Sequence, residues 1–138
     1  MRRRVALALL AALFGLPRGA AAAAEAVQLR ASDGTTLAAT LYVSPRGPAP
    51  AVILVHMLNR SRRDWDGVAS RLASEGIGAL AIDLRGHGDS HAFATAPDAP
   101  DYAPLVADVA AARRYLASRA DVQHSRIGVV GASLGANL

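Results

Sequence analysis

Neither cysteine nor lysine occurs anywhere in the 138 residues. Without cysteine no disulfide can staple the fold, so stability must come from a packed apolar core. The missing lysine reads as compositional bias toward alanine, arginine and glycine rather than as chemistry. A membrane span is lacking too. The apolar stretch at residues 5–16 is broken by Gly15 and Pro17, whereas a span needs roughly 20 residues. Met1-Arg-Arg-Arg4 precedes that stretch, and an alanine run over 20–24 follows it with Ala-x-Ala sites such as Ala22-Ala23-Ala24. This is the pattern of a secretory signal peptide, not an uncleaved anchor. The arginine pair lacks the flanking residues of the twin-arginine route. The expectation is a leader over 1–24, a domain over 25–138, and export to the periplasm or the extracellular medium.

Excess positive charge disappears with that leader. All fifteen basic residues are arginines, and Arg2, Arg3, Arg4 and Arg18 precede Glu25. Eleven arginines then face eleven acidic residues. The domain therefore lacks the basic footprint that nucleic-acid binding requires. The four histidines show no metal-ligand spacing, and nothing in the chain calls for a cofactor.

What is present alternates strands with helices. Residues 27–30 and 37–43 alternate apolar and polar around the turn Ser32-Asp33-Gly34, which reads as an N-terminal β-hairpin. A stiff Pro-Arg-Gly-Pro-Ala-Pro connection spans 45–50. Residues 51–56 form an apolar run suited to a strand buried on both faces. Ser61 and Asp64 have capping-box spacing. Trp65, Val68, Ala69, Leu72 and Ala73 mark one helical face, closed by Gly76. Residues 77–82 are the next buried strand, and 85–100 read as loop. Tyr102, Leu105, Val109, Ala112 and Leu116 outline a second helix, and 127–130 the last strand. The fold class is α/β, a mostly parallel, doubly wound sheet with right-handed crossovers and an N-terminal hairpin.

The last strand runs into Ile127-Gly-Val-Val-Gly131-Ala-Ser133-Leu-Gly135-Ala, the sequence form of a nucleophile elbow. There a sharp strand-to-helix turn lifts a strained serine off the sheet edge, with no room for Cβ atoms two residues to either side. Two further motifs stand at matching places: Leu54-Val-His56-Met-Leu58-Asn-Arg-Ser-Arg-Arg-Asp-Trp65, and Ala81-Ile-Asp83-Leu-Arg-Gly-His87-Gly-Asp-Ser90. Together the three resemble the N-terminal portion of the α/β-hydrolase superfamily, of the serine hydrolase or esterase type, over nearly all of the expected domain.

The resemblance implies Ser133 as nucleophile, with the backbone N–H groups of Leu134 and Leu58 as oxyanion donors. Met57 stands where the family commonly has glycine, which affects the path of that loop. The substrate implied is a small ester or amide. Serine at the elbow argues against relatives that use aspartate (dehalogenases, epoxide hydrolases) or cysteine (dienelactone hydrolases). A dinucleotide-binding turn is the rival reading of 131–136, but it wants glycine where Ser133 and Ala136 stand.

His56 and His87 also sit at the expected site edge. The family pattern gives the first to the oxyanion loop and the second to a turn, rather than to general base. Asp83, Arg85 and Asp89 read as a turn-stabilising ion-pair network, and Arg60, Arg62 and Arg63 as a solvated face rather than an anion site. Trp65 reads as core.

The family order of strands, 1-2-4-3-5-6-7-8, would be reached here only as far as strand five. The triad acid and histidine follow the nucleophile in chain order. The expectation is a nucleophile without its base, inactive by itself toward activated esters, and with a sheet edge prone to association. A non-catalytic relic or binding module is the alternative.

Overall fold

The computed structural model describes residues 23–91 and 102–138. Residues 1–22 of the expected leader and residues 92–101, which include the end of the expected loop, lie outside the described residues. Five strands form one sheet in the order β1-β2-β4-β3-β5, as the resemblance implied. β1 (Ala24–Arg30) and β2 (Thr36–Tyr42) make the antiparallel hairpin. Gly34 turns it at φ +87°, and Asp33 Oδ1 accepts the Thr35 N–H at 3.0 Å. β2 runs antiparallel to β4 (Gly78–Ile82). β4 runs parallel to β3 (Ala49–Val55), and β3 parallel to β5 (Val122–Gly131). The sheet is therefore mixed, and its parallel part carries the strand ends that matter for chemistry.

The apolar run in β3 is continuous because both faces are covered. Ile53 and Val55, with Leu80 and Ile82 of β4, lie under α2 (Ala103–Ala117) through Leu105, Ala112 and Leu116. Val52 and Leu54, with Ala79 and Ala81, lie under α1 (Asp66–Ser74) through Ala69 and Ala73. Alternate residues of one strand thus serve opposite helices, which is the period-two geometry of a strand. Alanines on the α1 side leave room for a close helix. That is the doubly wound arrangement.

Several local expectations change. Ser61 and Asp64 form no capping box: a 3-10 turn, Arg62–Trp65, precedes α1, and Ser61 makes no side-chain cap bond. Aspartate is one methylene shorter than the glutamate that reaches back in such a box, and Asp64 pairs with Arg60 instead at 2.6 Å. Val68 is exposed, because it lies about 100° around the helix from the buried Ala69. Tyr102 is also exposed. It precedes α2, whose first turn holds a proline, so it lies off the packed stripe. β5 begins five residues early, and its register jumps: Ala49 pairs with Val122 but Ala51 with Ile127. Pro50, which has no N–H to give a ladder, stands at that irregularity.

Asp108 of α2 is fully buried. A carboxylate on an apolar helix face must be paired, and Arg85, just past β4, meets it. Its N–H donates to Oδ2 at 2.9 Å and its Nη2 to Oδ1 at 2.6 Å. Arg85 Nη1 also reaches Asp33 Oδ2 at 2.6 Å in the hairpin turn. One arginine so ties β1–β2, β4 and α2 together, and its hydrogen bond, with that of the Thr35 N–H, holds the Asp33 carboxyl well below the usual carboxylate range. Breaking a buried pair from one side strands the other charge, which costs about 3–5 kcal/mol. Asp108→Ala is expected to lose stability of that order in chemical denaturation. A loss below about 1 kcal/mol would contradict the tie.

Candidate active site

Strand register brings the site together. Val55 is opposite Gly131, so β3 and the neighbouring β5 leave the sheet at the same edge. The Ala132 N–H donates to the Val55 carbonyl at 3.1 Å, and the chain then turns into a short 3-10 segment, Ser133–Ala136. Ser133 takes φ +49°, a left-handed conformation that a non-glycine residue adopts only under constraint.

The flanking glycines explain the constraint. A Cβ on Gly131 would run into the Gly135 backbone, and one on Gly135 would lie 2.5 Å from the Val55 carbonyl oxygen and 2.9 Å from that of His56. The sequence reading expected both glycines to make room for the serine. Instead they make room for each other and for the end of β3. The Asn137 amide donates to the Ser133 carbonyl at 2.7 Å and closes the turn.

The loop after β3 is shaped without the usual glycine. Met57 keeps a negative φ, and Asn59 takes the left-handed position at φ +59°. Asparagine tolerates that region better than other residues. The Arg60 N–H donates back to the Met57 carbonyl at 3.2 Å, closing a turn in which Asn59 does the work expected of glycine at 57.

His56 fixes the same carbonyl. It is 1% exposed, and its Nε2 accepts the Leu84 N–H at 3.1 Å. A peptide N–H only donates, so Nε2 carries no proton and Nδ1 does. Nδ1 donates to the Met57 carbonyl at 2.8 Å. The peptide is trans, which points the Leu58 N–H of the same unit away from the buried ring. With both nitrogens engaged, His56 has no lone pair to act as general base.

His87 packs its ring 4.9 Å from that of His56, and its Nδ1 lies 3.1 Å from the Arg85 carbonyl. His124 is hydrogen-bonded to the Arg119 carbonyl. Among the described residues no group of three or more potential ligands is placed to hold a metal ion, and no helix is long and apolar enough to cross a membrane.

The loop after β4 is an ion-pair scaffold, as expected, with one addition. Asp83 is fully buried. Its carboxylate accepts the Arg62 N–H at 2.6 Å and the Asp89 N–H at 2.9 Å, and it pairs with the Arg62 guanidinium. Arg62 also reaches Asp89 at 2.9 Å and Thr40 at 3.1 Å. Arg62 is therefore no part of a solvated face; only Arg60 and Arg63 are largely exposed. Gly88 lies so close to the Asp83 carboxylate that a Cβ would collide with it.

Ser133, Leu134 and Leu58, the three residues singled out in the sequence, line one cleft of about 430 Å³ with Tyr102 and Asn137. Among the described residues no acceptor takes the N–H of Leu58 or Leu134, and the Ser133 hydroxyl has no partner. The sequence pattern missed Tyr102, although the proline two residues on signals that the helix begins after it. It also missed Asp108, whose warning was a carboxylate on the apolar stripe.

The fold and the site edge are those of an α/β hydrolase. Over residues 46–138 the chain matches the family described as serine aminopeptidase, S33, and it belongs to that family. It is 36% identical over 89 residues to protein Rv2715 of Mycobacterium tuberculosis (strain H37Rv), covering 64% of this chain and 23% of that one. It is 37% identical over 73 residues to an epoxide hydrolase of Caballeronia sordidicola, covering 53% and 21%. Among solved structures, the Pyrococcus furiosus esterase Pf2001 superposes with a TM-score of 0.66 at 27% identity, over 83% of this chain and 42% of that one. The chain thus spans less than half the length of these relatives.

Burial disfavours a charged ring and holds His56 below the ordinary histidine value. As pH falls from about 6.5, the unfolded chain binds a proton that the folded one refuses, so stability declines through the depressed value. His56→Asn removes that titration. The variant is expected to melt below the parent at pH 7.5, with the gap narrowing toward pH 5. A constant gap would contradict the neutral, doubly bonded ring.

Proposed function

We propose that this chain supplies the nucleophile and the oxyanion donors of an exported serine hydrolase of the carboxylesterase type. The observation that carries the reading is the placement of Ser133. It stands in a left-handed turn, its hydroxyl is free among the described residues, and it shares a cleft with two unspent backbone donors. Likeness to a solved esterase supports the same reading. So does serine at the position where aspartate-dependent relatives, such as epoxide hydrolases, carry their nucleophile. The Arg-rich, apolar and alanine segments of residues 1–24 support export.

Ser133 Oγ attacks the ester carbonyl, and its proton passes to a histidine base. The carbonyl oxygen becomes an oxyanion held by the N–H groups of Leu58 and Leu134. Each such donor is worth about 3 kcal/mol of transition-state stabilisation. Collapse expels the alcohol and leaves an acyl-serine, which water then cleaves with the same base. In this family the acid and histidine follow the serine in chain order, and His56 is committed elsewhere. The Leu58 donor is held ready by the bond from His56 to the Met57 carbonyl, which both orients the peptide and polarises it.

A fluorophosphonate probe tests the reading, because it reacts only with an activated serine. Labelling at Ser133 is expected in protein that also supplies the acid and histidine base, with none in Ser133→Ala and a loss of roughly 10⁴-fold or more in ester turnover; residues 1–138 by themselves are expected to take no label. A folded protein that has the base and neither takes the probe nor cleaves activated esters would be a non-catalytic module instead.

A further inference from the structure

Resting on that reading, we propose that Tyr102 is a specificity-determining residue whose ring packs against an uncharged, apolar substituent of the ester. The enzyme would then favour neutral esters with an apolar group larger than acetyl over substrates presenting a free α-ammonium.

The cleft wall is apolar at unusual places. Leu58 is 57% exposed and Tyr102 47%, although the fold has apolar faces on which such side chains could be buried. Both line the space in front of Ser133, and exposed Met57 precedes Leu58 in the chain. Clustered exposed apolar residues beside a candidate nucleophile mark a surface that a ligand covers. An aromatic ring supplies large contact area at little entropic cost, since only two side-chain torsions are fixed.

Tyr102 is also held firmly enough to discriminate. Its carbonyl accepts the Val106 N–H at 2.9 Å, starting α2, and α2 is pinned to β4 by Asp108 and Arg85. The ring thus stands on a rigid support rather than on the middle of a loop. The Tyr102 hydroxyl makes no hydrogen bond among the described residues, so the ring face, not a polar tether, is what it offers.

Charge selects in the same direction. Among the described residues no charged side chain lines the cleft, and the Asn137 amide is already donated to the Ser133 carbonyl. An α-ammonium desolvated there would find no carboxylate among the described residues, which is costly, whereas an alkyl or aryl group loses nothing.

The test is a pair of ester series on protein that also supplies the acid and histidine base. One is p-nitrophenyl acetate through octanoate, and the other acetate esters of alcohols of rising length. Alanyl and propionyl p-nitrophenyl esters are compared beside them. The parent is expected to prefer the propionyl ester and to gain in kcat/KM with length in at least one series. Tyr102→Ala should lower kcat/KM for the favoured longer esters about tenfold while changing the shortest less than about twofold. Tyr102→Phe, which keeps the ring, should restore the lost preference. Preference for the alanyl ester, an unchanged series in Tyr102→Ala, or failure of Tyr102→Phe to rescue would overturn the proposal. Continued fluorophosphonate labelling of Ser133 in that case leaves the hydrolase reading standing. Absence of labelling in the parent overturns both.

Discussion

Gly135 meets the Val55 and His56 carbonyls at the end of β3 more closely than any side chain would allow. That contact fixes how far the turn after β5 folds back over the sheet. The parallel register of β3 with β5 sets the lateral position, Val55 against Gly131, and the glycine contact sets the height. Ser133 is forced into its left-handed conformation by these two constraints, not by its own preference. Because the same strand end launches the Met57–Arg60 turn, the serine and the Leu58 N–H are placed by one piece of backbone. A site assembled this way needs few dedicated side chains.

Charged groups shape the neighbouring loops and are paired where they are buried. Asp83, Asp108 and Arg85 are almost fully enclosed, yet their carboxylate oxygens and guanidinium nitrogens are engaged. Ion pairs in such places add little net stability over an apolar alternative, because desolvation offsets the attraction. Their consequence is geometric. Asp83 gathers Arg62 and Asp89, which fixes the entry to α1 and the turn after β4, while Arg85 aligns α2 with the hairpin. His56 belongs to the same scaffold: it links the ends of β3 and β4 through the Leu84 N–H and aims the Met57–Leu58 peptide.

The strands, the two crossover helices and the position of the serine turn were legible in the sequence because each rests on local pattern, whereas the strand order came from the family resemblance. Apolar runs bounded by turn residues identify β3 and β4, Gly76 ends α1, and Gly131 and Gly135 mark the elbow. What escaped was set by tertiary partners. Asn59, not a residue at position 57, bears the left-handed turn. Ser61 does not cap, since Asp64 finds Arg60 first. Arg62 looked like one of three surface arginines until Asp83 was seen beneath it. The cleft role of Tyr102 depends on where α2 starts, a boundary of one residue that periodicity alone does not fix.

A crystal structure of the protein after reaction with an alkyl phosphonate p-nitrophenyl ester would examine the nucleophile and the donors at once. The tetrahedral phosphorus bonded to Ser133 Oγ mimics the acyl-transfer intermediate. The phosphoryl oxygen is expected at about 2.7–3.1 Å from both the Leu58 and the Leu134 backbone nitrogens, with the His56 bond to the Met57 carbonyl intact. An unmodified Ser133, or a phosphoryl oxygen turned away from either nitrogen, would contradict the assignment of this turn and loop as the catalytic centre.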